Sequence, residues 1–487
     1  MTMTFEPATP EPATPEPATF EPATREPAPP EPATADLAAA VTARSTGLSY
    51  QQLLDTDSRP ENVAAALRME RWESLGNSDL PVARYTSREF HELEKERLWK
   101  RVWQMACRLE DIPNVGDTLV YDICDTSVLV VRSGTDTVQA YFNACLHRGR
   151  QLREHDGPAT ELRCPFHGFC WNLDGGLKQI PCEWDFPHIE KSEWSLPELR
   201  VGTWGGFVFV NMDPECEPLE TFLAGLDEHF AKWPLEDRYK AVHVARVFRA
   251  NWKVVQEAFM EAFHVVATHP QLLAGIGDAN SQYDWWGNFS RAITPNGTPS
   301  PHIAFVPTEQ EIFDAMSDRR LDEPSFITLT DGMTARSVTG QGGRIRLEGA
   351  IGAAADQLSD AEMADSIYYT LFPNFHPWGA FNRLVYRFRP YGDEHEMAIM
   401  ECMLLDPYDT SGPKPPAVPI HWLGPDDDWT DAPELGMLAR VFNQDTFNLP
   451  KVQIGLRSMR KPGVTLANYQ ETKIRHFHYL LNHWIAE

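Results

Sequence analysis

Cysteine and histidine occur in two mixed pairs, Cys145-Leu146-His147 and, after sixteen intervening residues, Cys164-Pro165-Phe166-His167. Two thiolates and two imidazoles are the ligand set of a Rieske 2Fe–2S centre, where cysteines hold one iron and histidines the other. Structural zinc sites more often group cysteines with cysteines and histidines with histidines. Zinc is therefore the weaker reading of Cys145, His147, Cys164 and His167. Gly149 and Gly168 follow the pairs, and glycine lets backbone approach cluster sulfurs because it carries no Cβ.

A second donor set lies further along. His264 and His269 are five residues apart, which is about 140° around an ideal helix turning about 100° per residue. They can meet at one metal only if the helix ends or distorts between them. Pro270 supplies a reason, because the residue before proline is biased away from helical geometry. Glu261 and His264 share a helical face. Two histidines with one carboxylate from elsewhere make the facial triad of a non-haem Fe(II) oxygenase, with positions left for dioxygen. On spacing alone, surface histidines are the commoner arrangement; the upstream cluster motif shifts the balance to a metal.

The elements that must position these residues follow from periodicity. Residues 35–116 read as helical, with Thr86-Ser87-Arg88-Glu89 as a capping box ahead of Phe90, Leu93, Leu98 and Val102. Short strands are expected over 118–123, 127–132, 138–143 and 206–211, holding the cluster loops at one tip. A helix over 219–235 leads out. Beyond residue 239 the chain becomes α+β, with a strand over 242–248 and a helix over 251–268. The glycine- and proline-rich stretch 275–350 is expected to be a mobile cover. Strands over 368–373, 383–390 and 396–405 belong to one antiparallel sheet, and helices over 434–458 and 469–484 end the chain. The domains are then a disordered tail of Glu-Pro-Ala-Thr repeats (1–36), a helical segment packing on the catalytic domain (37–117), a Rieske domain (118–235) and a mononuclear iron domain (236–487).

Over 85–487 this order resembles the Rieske non-haem iron oxygenases, specifically the alpha subunit of the aromatic-ring-hydroxylating kind. The carriers are the two cluster loops, Asn251-Trp252-Lys253 followed by an acid and His264-x4-His269, the segment Leu371-Phe372-Pro373-Asn374, and an acidic terminal helix. The resemblance implies an α+β fold: an all-β Rieske domain plus a catalytic domain built on an antiparallel sheet with helices (helix-grip/START-like). It implies a third iron ligand late in the chain, and Phe442-Asn443-Gln444-Asp445 with Gln453 downstream matches best, so Asp445 is the expected ligand. Pro450 is expected to kink the helix nearby. Glu261 would bridge His264 and His167 of the partner subunit, orienting imidazoles and carrying the electron. Two departures set the chain apart from the bicyclic-arene branch: Glu261 replaces the usual aspartate, and Ala258 the common asparagine.

The resemblance further implies a terminal oxygenase fed by a separate ferredoxin or reductase. No G-x-G-x-x-G follows a strand, so NAD(P)H is expected to be consumed by that partner. Arg148, Arg150 and Arg153 could dock an acidic donor or hold carboxylates within the domain. Phe259, Phe263 and Val265 are the expected pocket wall, suited to an apolar arene, terpenoid or steroid-like substrate. Electron crossing between chains implies a closed ring such as a homotrimer; a beta subunit is left open. Ring hydroxylation is the leading reaction, with a Rieske monooxygenase or O/N-demethylase as the alternative. A stand-alone Rieske carrier and a zinc scaffold are weaker ones.

Composition agrees. A chain of 487 residues with formal charge −27 has room for several cores and argues against nucleic acid or an anionic membrane as partner. No apolar run is long enough to span a bilayer, and no signal-peptide pattern opens the chain, so a cytoplasmic setting is expected. Eight cysteines are sparse for this length, as in a reducing compartment. Cys107, Cys124, Cys170, Cys182, Cys216 and Cys402 are expected to be packed thiols.

Overall fold

The computed structural model describes residues 44–316 and 327–486, and the repeat tail lies outside them. Two sheets organise the described chain. The first has seven strands in the order Gln104–Arg108, Phe207–Asn211, Glu198–Trp204, Thr137–Phe142, Thr126–Gly134, Asp117–Ile123 and Gly157–Pro158. A small sheet of Leu162–Arg163, Cys170–Trp171 and Leu177–Gln179 stands beside it. The interior strand Thr126–Gly134 shows why the alternating pattern matters, since successive side chains point to opposite faces. Val128 and Val130 enter the main core, while Leu129 and Val131 join a smaller core containing Cys145, Cys164, Phe169 and Trp171. The sheet is thus a wall shared by two cores, and the cluster loops are rooted in the smaller one.

The second sheet has eight strands in the order Gln282–Trp286, Phe289–Thr294, Ser366–Leu371, Phe375–Pro377, Leu384–Tyr391, Glu394–Pro407, Arg238–Phe248 and His421–Leu423. Every pairing is antiparallel except the last. The helix Trp252–Glu257 packs on Leu384–Tyr391 and Glu394–Pro407, and Thr472–Ala486 covers the hairpin 282–294. Leu438–Ser458 lies against Trp252–Glu257 and runs through Pro450 without ending. Among the described residues no helix is long and apolar enough to cross a membrane.

Several expectations are corrected. The stretch 275–350 is not a loose cover: it supplies the first two strands of the large sheet and the helix Ala335–Ile351. Gly287-Asn288 turns that hairpin, and Tyr283, Phe289, Ala292 and Ile293 are buried beneath it. Residues 317–326 of that stretch are outside the described ones. Gln104–Arg108, expected as helix, is an edge strand buried along its length; with both faces covered it shows no alternation to read. The helix expected over 219–235 is two, Leu219–Leu223 and Leu226–Phe230, parted at Ala224 and Gly225, whose φ angles are 54° and 90°. Helix Arg88–Glu94 is capped by Ser87 rather than Thr86, the Ser87 hydroxyl accepting the Phe90 N–H at 3.1 Å.

Candidate active site

The two cluster loops are built alike. Cys145 N–H donates to Arg150 O at 2.8 Å and Gly149 N–H to Cys145 O at 2.8 Å. Cys164 N–H donates to Phe169 O at 2.8 Å and Gly168 N–H to Cys164 O at 3.0 Å. Both glycines have positive φ, 75° and 80°, which a side chain would resist. The loops face each other: the His147 and His167 rings lie 4.6 Å apart, and His147 stacks on Phe169 at 4.7 Å. Both thiols are buried. Burial first, then the adjacent Cys164 thiol, push the Cys145 thiol up, whereas a coordinating metal deprotonates a thiol outright. His147 Nδ1 is buried with no hydrogen-bond partner, while His167 is exposed. A paired-thiol, paired-imidazole cradle with an orphaned ring nitrogen fits a Rieske cluster.

The second site is less regular than the sequence suggested. The helix started by Asn251, whose side chain accepts the Lys253 N–H, stops at Glu257. Residues 258–264 form a turn, and only Val265–Thr268 is helical again. Glu261 and His264 therefore do not share a helical face; the carboxylate folds back instead. Glu261 Oε2 accepts the His264 backbone N–H at 3.0 Å, and Oε1 lies 2.8 Å from His264 Nδ1. Tyr283, from the unforeseen hairpin, accepts the Ala262 N–H at 3.0 Å and pins the same turn. His269, ahead of Pro270, leaves helical geometry with φ −126° and ψ 52°, so the expected break after Thr268 is present.

His264, His269 and Asp445 converge, their ligand atoms all within 4.8 Å of one another. Asp445 Oδ1 is 2.6 Å from His269 Nε2 and 3.4 Å from His264 Nε2. Neighbouring ligands each about 2.1 Å from a common metal stand about 3 Å apart, so the spacing fits one ion. The electrostatics agree. Burial pulls the His264 imidazole down, but Asp445 and Glu261 outweigh it and push it up to about 10. Burial would raise the Asp445 carboxyl, yet both histidines hold it below its usual range. Such a site seeks positive charge, as proton or as metal.

Other expected residues are placed unevenly. Phe259 lies in an aromatic group with Tyr386 at 5.3 Å, Phe388 at 5.5 Å and Phe442 at 6.2 Å. Val265 is buried, whereas Phe263 turns outward and is 48% exposed. Arg148 is exposed and sits over the Phe166 ring. Arg150 is half-buried and engages Glu154 of its own loop. Sequence reasoning gave Gln444 no role, yet its Oε1 is 2.8 Å from His269 Nδ1. The only signal was adjacency to Asp445. Gln453 holds two elements together, because its Oε1 accepts the Asn251 N–H at 2.9 Å and so ties the Asp445 helix to the helix leading toward His264.

Comparison with known proteins follows this division. Residues 102–190 match the Rieske [2Fe-2S] domain, and 228–487 match the ring hydroxylating alpha subunit (catalytic domain). The carnitine monooxygenase oxygenase subunit of Escherichia coli (strain K12) is 29% identical over 231 residues, 47% of this chain and 59% of that one. The chlorobenzene dioxygenase subunit alpha of Cupriavidus sp. (strain PS12) is 31% identical over 217 residues, 42% of this chain and 47% of that one. The matched stretches thus span 59% or less of these two relatives' own lengths. A solved quaternary ammonium Rieske monooxygenase superposes with TM-score 0.59 at 19% identity, covering 83% of this chain and 95% of that one; at that identity the likeness concerns the fold. With the catalytic match alone extending over more than half of its residues, the chain belongs to the family of Rieske non-haem iron ring-hydroxylating oxygenase alpha subunits.

Proposed function

We propose that the chain is a terminal oxygenase that receives single electrons at a Rieske cluster and inserts dioxygen-derived oxygen into an apolar aromatic or polycyclic substrate. In this reading Cys145, His147, Cys164 and His167 hold the 2Fe–2S cluster, within an electron-inlet domain at 118–235. His264, His269 and Asp445 hold a mononuclear Fe(II) within the catalytic domain at 236–487. The observation that carries it is the convergence of His269 and Asp445, 176 residues apart in sequence, with His264. When bound, Fe(II) in such a triad supplies redox chemistry toward dioxygen. The residues do the rest: Glu261 fixes His264 through its Nδ1, Asp445 supplies anionic charge, and the Phe259–Tyr386–Phe442 rings offer an apolar wall.

Electrons come from a ferredoxin or reductase that consumes NAD(P)H, docking at the exposed Arg148 and, less freely, at Arg150. Glu261 carries them onward from His167 of the partner subunit, which calls for a ring of copies such as a homotrimer. The setting is cytoplasmic. A second reading, a monooxygenase or demethylase acting on a quaternary ammonium compound, is favoured by the carnitine-oxidising relative. Aromatic faces also attract such cations.

The test is product analysis with chemically reduced ferredoxin, dioxygen and a panel of arenes and trimethylammonium compounds, using wild type and His264→Ala. The variant is expected to accept electrons at the cluster and make no product. Product formation by the variant at the wild-type rate would sink the oxygenase reading of this site. Demethylation of the ammonium compounds without arene oxidation would replace the first substrate class by the second.

A further inference from the structure

Gln444 stands immediately before Asp445 and places its amide oxygen 2.8 Å from His269 Nδ1. Gln271, two residues past His269, brings its amide nitrogen 3.0 Å from the same oxygen. The Gln271 NH2 donates to that oxygen, so the Gln444 amide turns its oxygen, not its NH2, toward the imidazole. A neutral histidine carries its proton on one nitrogen only, and the partner of the other nitrogen decides which. With Gln444 as acceptor the proton sits on Nδ1. Nε2, which faces Asp445 Oδ1 at 2.6 Å, is then the nitrogen turned into the triad, and a metal would take the place of the proton between them. His269 itself is 4% exposed, so its ring has few other partners to choose from.

The arrangement differs from that at the other histidine. His264 gives its Nδ1 proton to the carboxylate of Glu261, three residues away on the same turn. His269 gives its own to a neutral amide that arrives on a helix 175 residues downstream. We infer that Gln444 is a positioning residue for His269, setting the tautomer and heading of the ring so that Nε2 is presented to the metal. The inference rests on reading His264, His269 and Asp445 as the iron ligands.

The test uses the full-length protein with its 2Fe–2S cluster intact and the mononuclear site stripped, titrated anaerobically with Co(II) by calorimetry. Wild type, His269→Ala, Gln444→Met and Gln444→Glu are compared, with the cluster's visible spectrum as the check on folding. Gln444→Met keeps the length of the side chain and loses the acceptor. Partners of this kind are worth about 10- to 100-fold in metal affinity, and a loss in that range is expected. Gln444→Glu keeps an oxygen in place to accept the Nδ1 proton and is expected to restore binding, which a purely structural role would not produce. Wild-type affinity in Gln444→Met, or an equal loss in Gln444→Glu, would overturn the inference. Failure of the ligand reading is separately visible: His269→Ala would then bind Co(II) as wild type does, whatever Gln444 contributes.

Discussion

Replacing Gln453 by leucine tests whether the two elements bearing the proposed iron ligands are tied as described. Gln453 is 1% exposed and makes three hydrogen bonds. Its Oε1 accepts the Asn251 N–H at 2.9 Å; its Nε2 donates to Tyr85 O at 3.1 Å and to Glu396 Oε1 at 2.8 Å. Leucine is close in size, so the cost is not that of a cavity. Glu396 keeps Arg457, whose Nε is 2.9 Å away. The Asn251 N–H and the Tyr85 carbonyl are left buried without these partners. Each orphaned group costs about 1–3 kcal/mol, so Gln453→Leu is expected to lose about 2–6 kcal/mol. Urea unfolding followed by tryptophan fluorescence measures this, because Trp252 sits in the helix that Gln453 secures. Co(II) affinity at the triad should fall as well, since the register between the Asp445 helix and the turn bearing His264 is loosened. A variant within about 0.5 kcal/mol of wild type, the usual range of a neutral surface change, would refute the argument.

Three further outcomes are expected. Burial raises the Glu257 carboxyl to about 8, against the hydrogen bond from Tyr85 and the charge of Lys253. The folded state then keeps a proton that the unfolded chain releases near 4.5, so this group makes stability fall as pH rises through that window. Glu257→Gln should melt with wild type near pH 5 and above it at pH 8; parallel melting curves at both would count against the assignment. Lys253 Nζ and Glu94 Oε1 form a fully buried pair at 2.6 Å, so Lys253→Met should cost about 3–5 kcal/mol by stranding the carboxylate. Adding Glu94→Gln should recover part of that loss in the same melt. Cys164→Ser should abolish the visible cluster spectrum while Co(II) still titrates the triad, separating the two centres.

How much could be read in advance depended on how local the information was. The two Cys–His loops were legible as a matched pair because each is short and local, and Cys145–Gly149 and Cys164–Gly168 repeat one backbone pattern. The helix over 251–268 was over-extended because Phe259, Met260 and Val265 continue an apolar rhythm past Glu257. Helical periodicity does not register that Glu261 prefers to fold back onto His264 or that Tyr283 takes the Ala262 N–H from outside. The hairpin at 282–294 was hidden by composition. Glycine and proline weighed over a long window obscure two short strands joined by Gly287-Asn288, a dipeptide that itself signals a hairpin.

The proposed iron site shows the same contrast within one constellation. His264 is fixed by Glu261, three residues away, and that half could form with the turn alone. His269 is fixed by Gln444, and the carboxylate that both histidines face is Asp445, so the other half exists only once the helix Leu438–Ser458 has docked. Asp445 was located from a family pattern, because no local rule links a residue to a partner 176 positions upstream. Docking of that helix brings a carboxylate against two histidines and satisfies the Nδ1 proton of one of them. A metal ion that binds only the assembled triad must stabilise the docked helix by mass action. Metal binding at the proposed triad of His264, His269 and Asp445 and the seating of the helix Leu438–Ser458 are then one coupled equilibrium, with Gln444 and Gln453 as its contacts on the helix side.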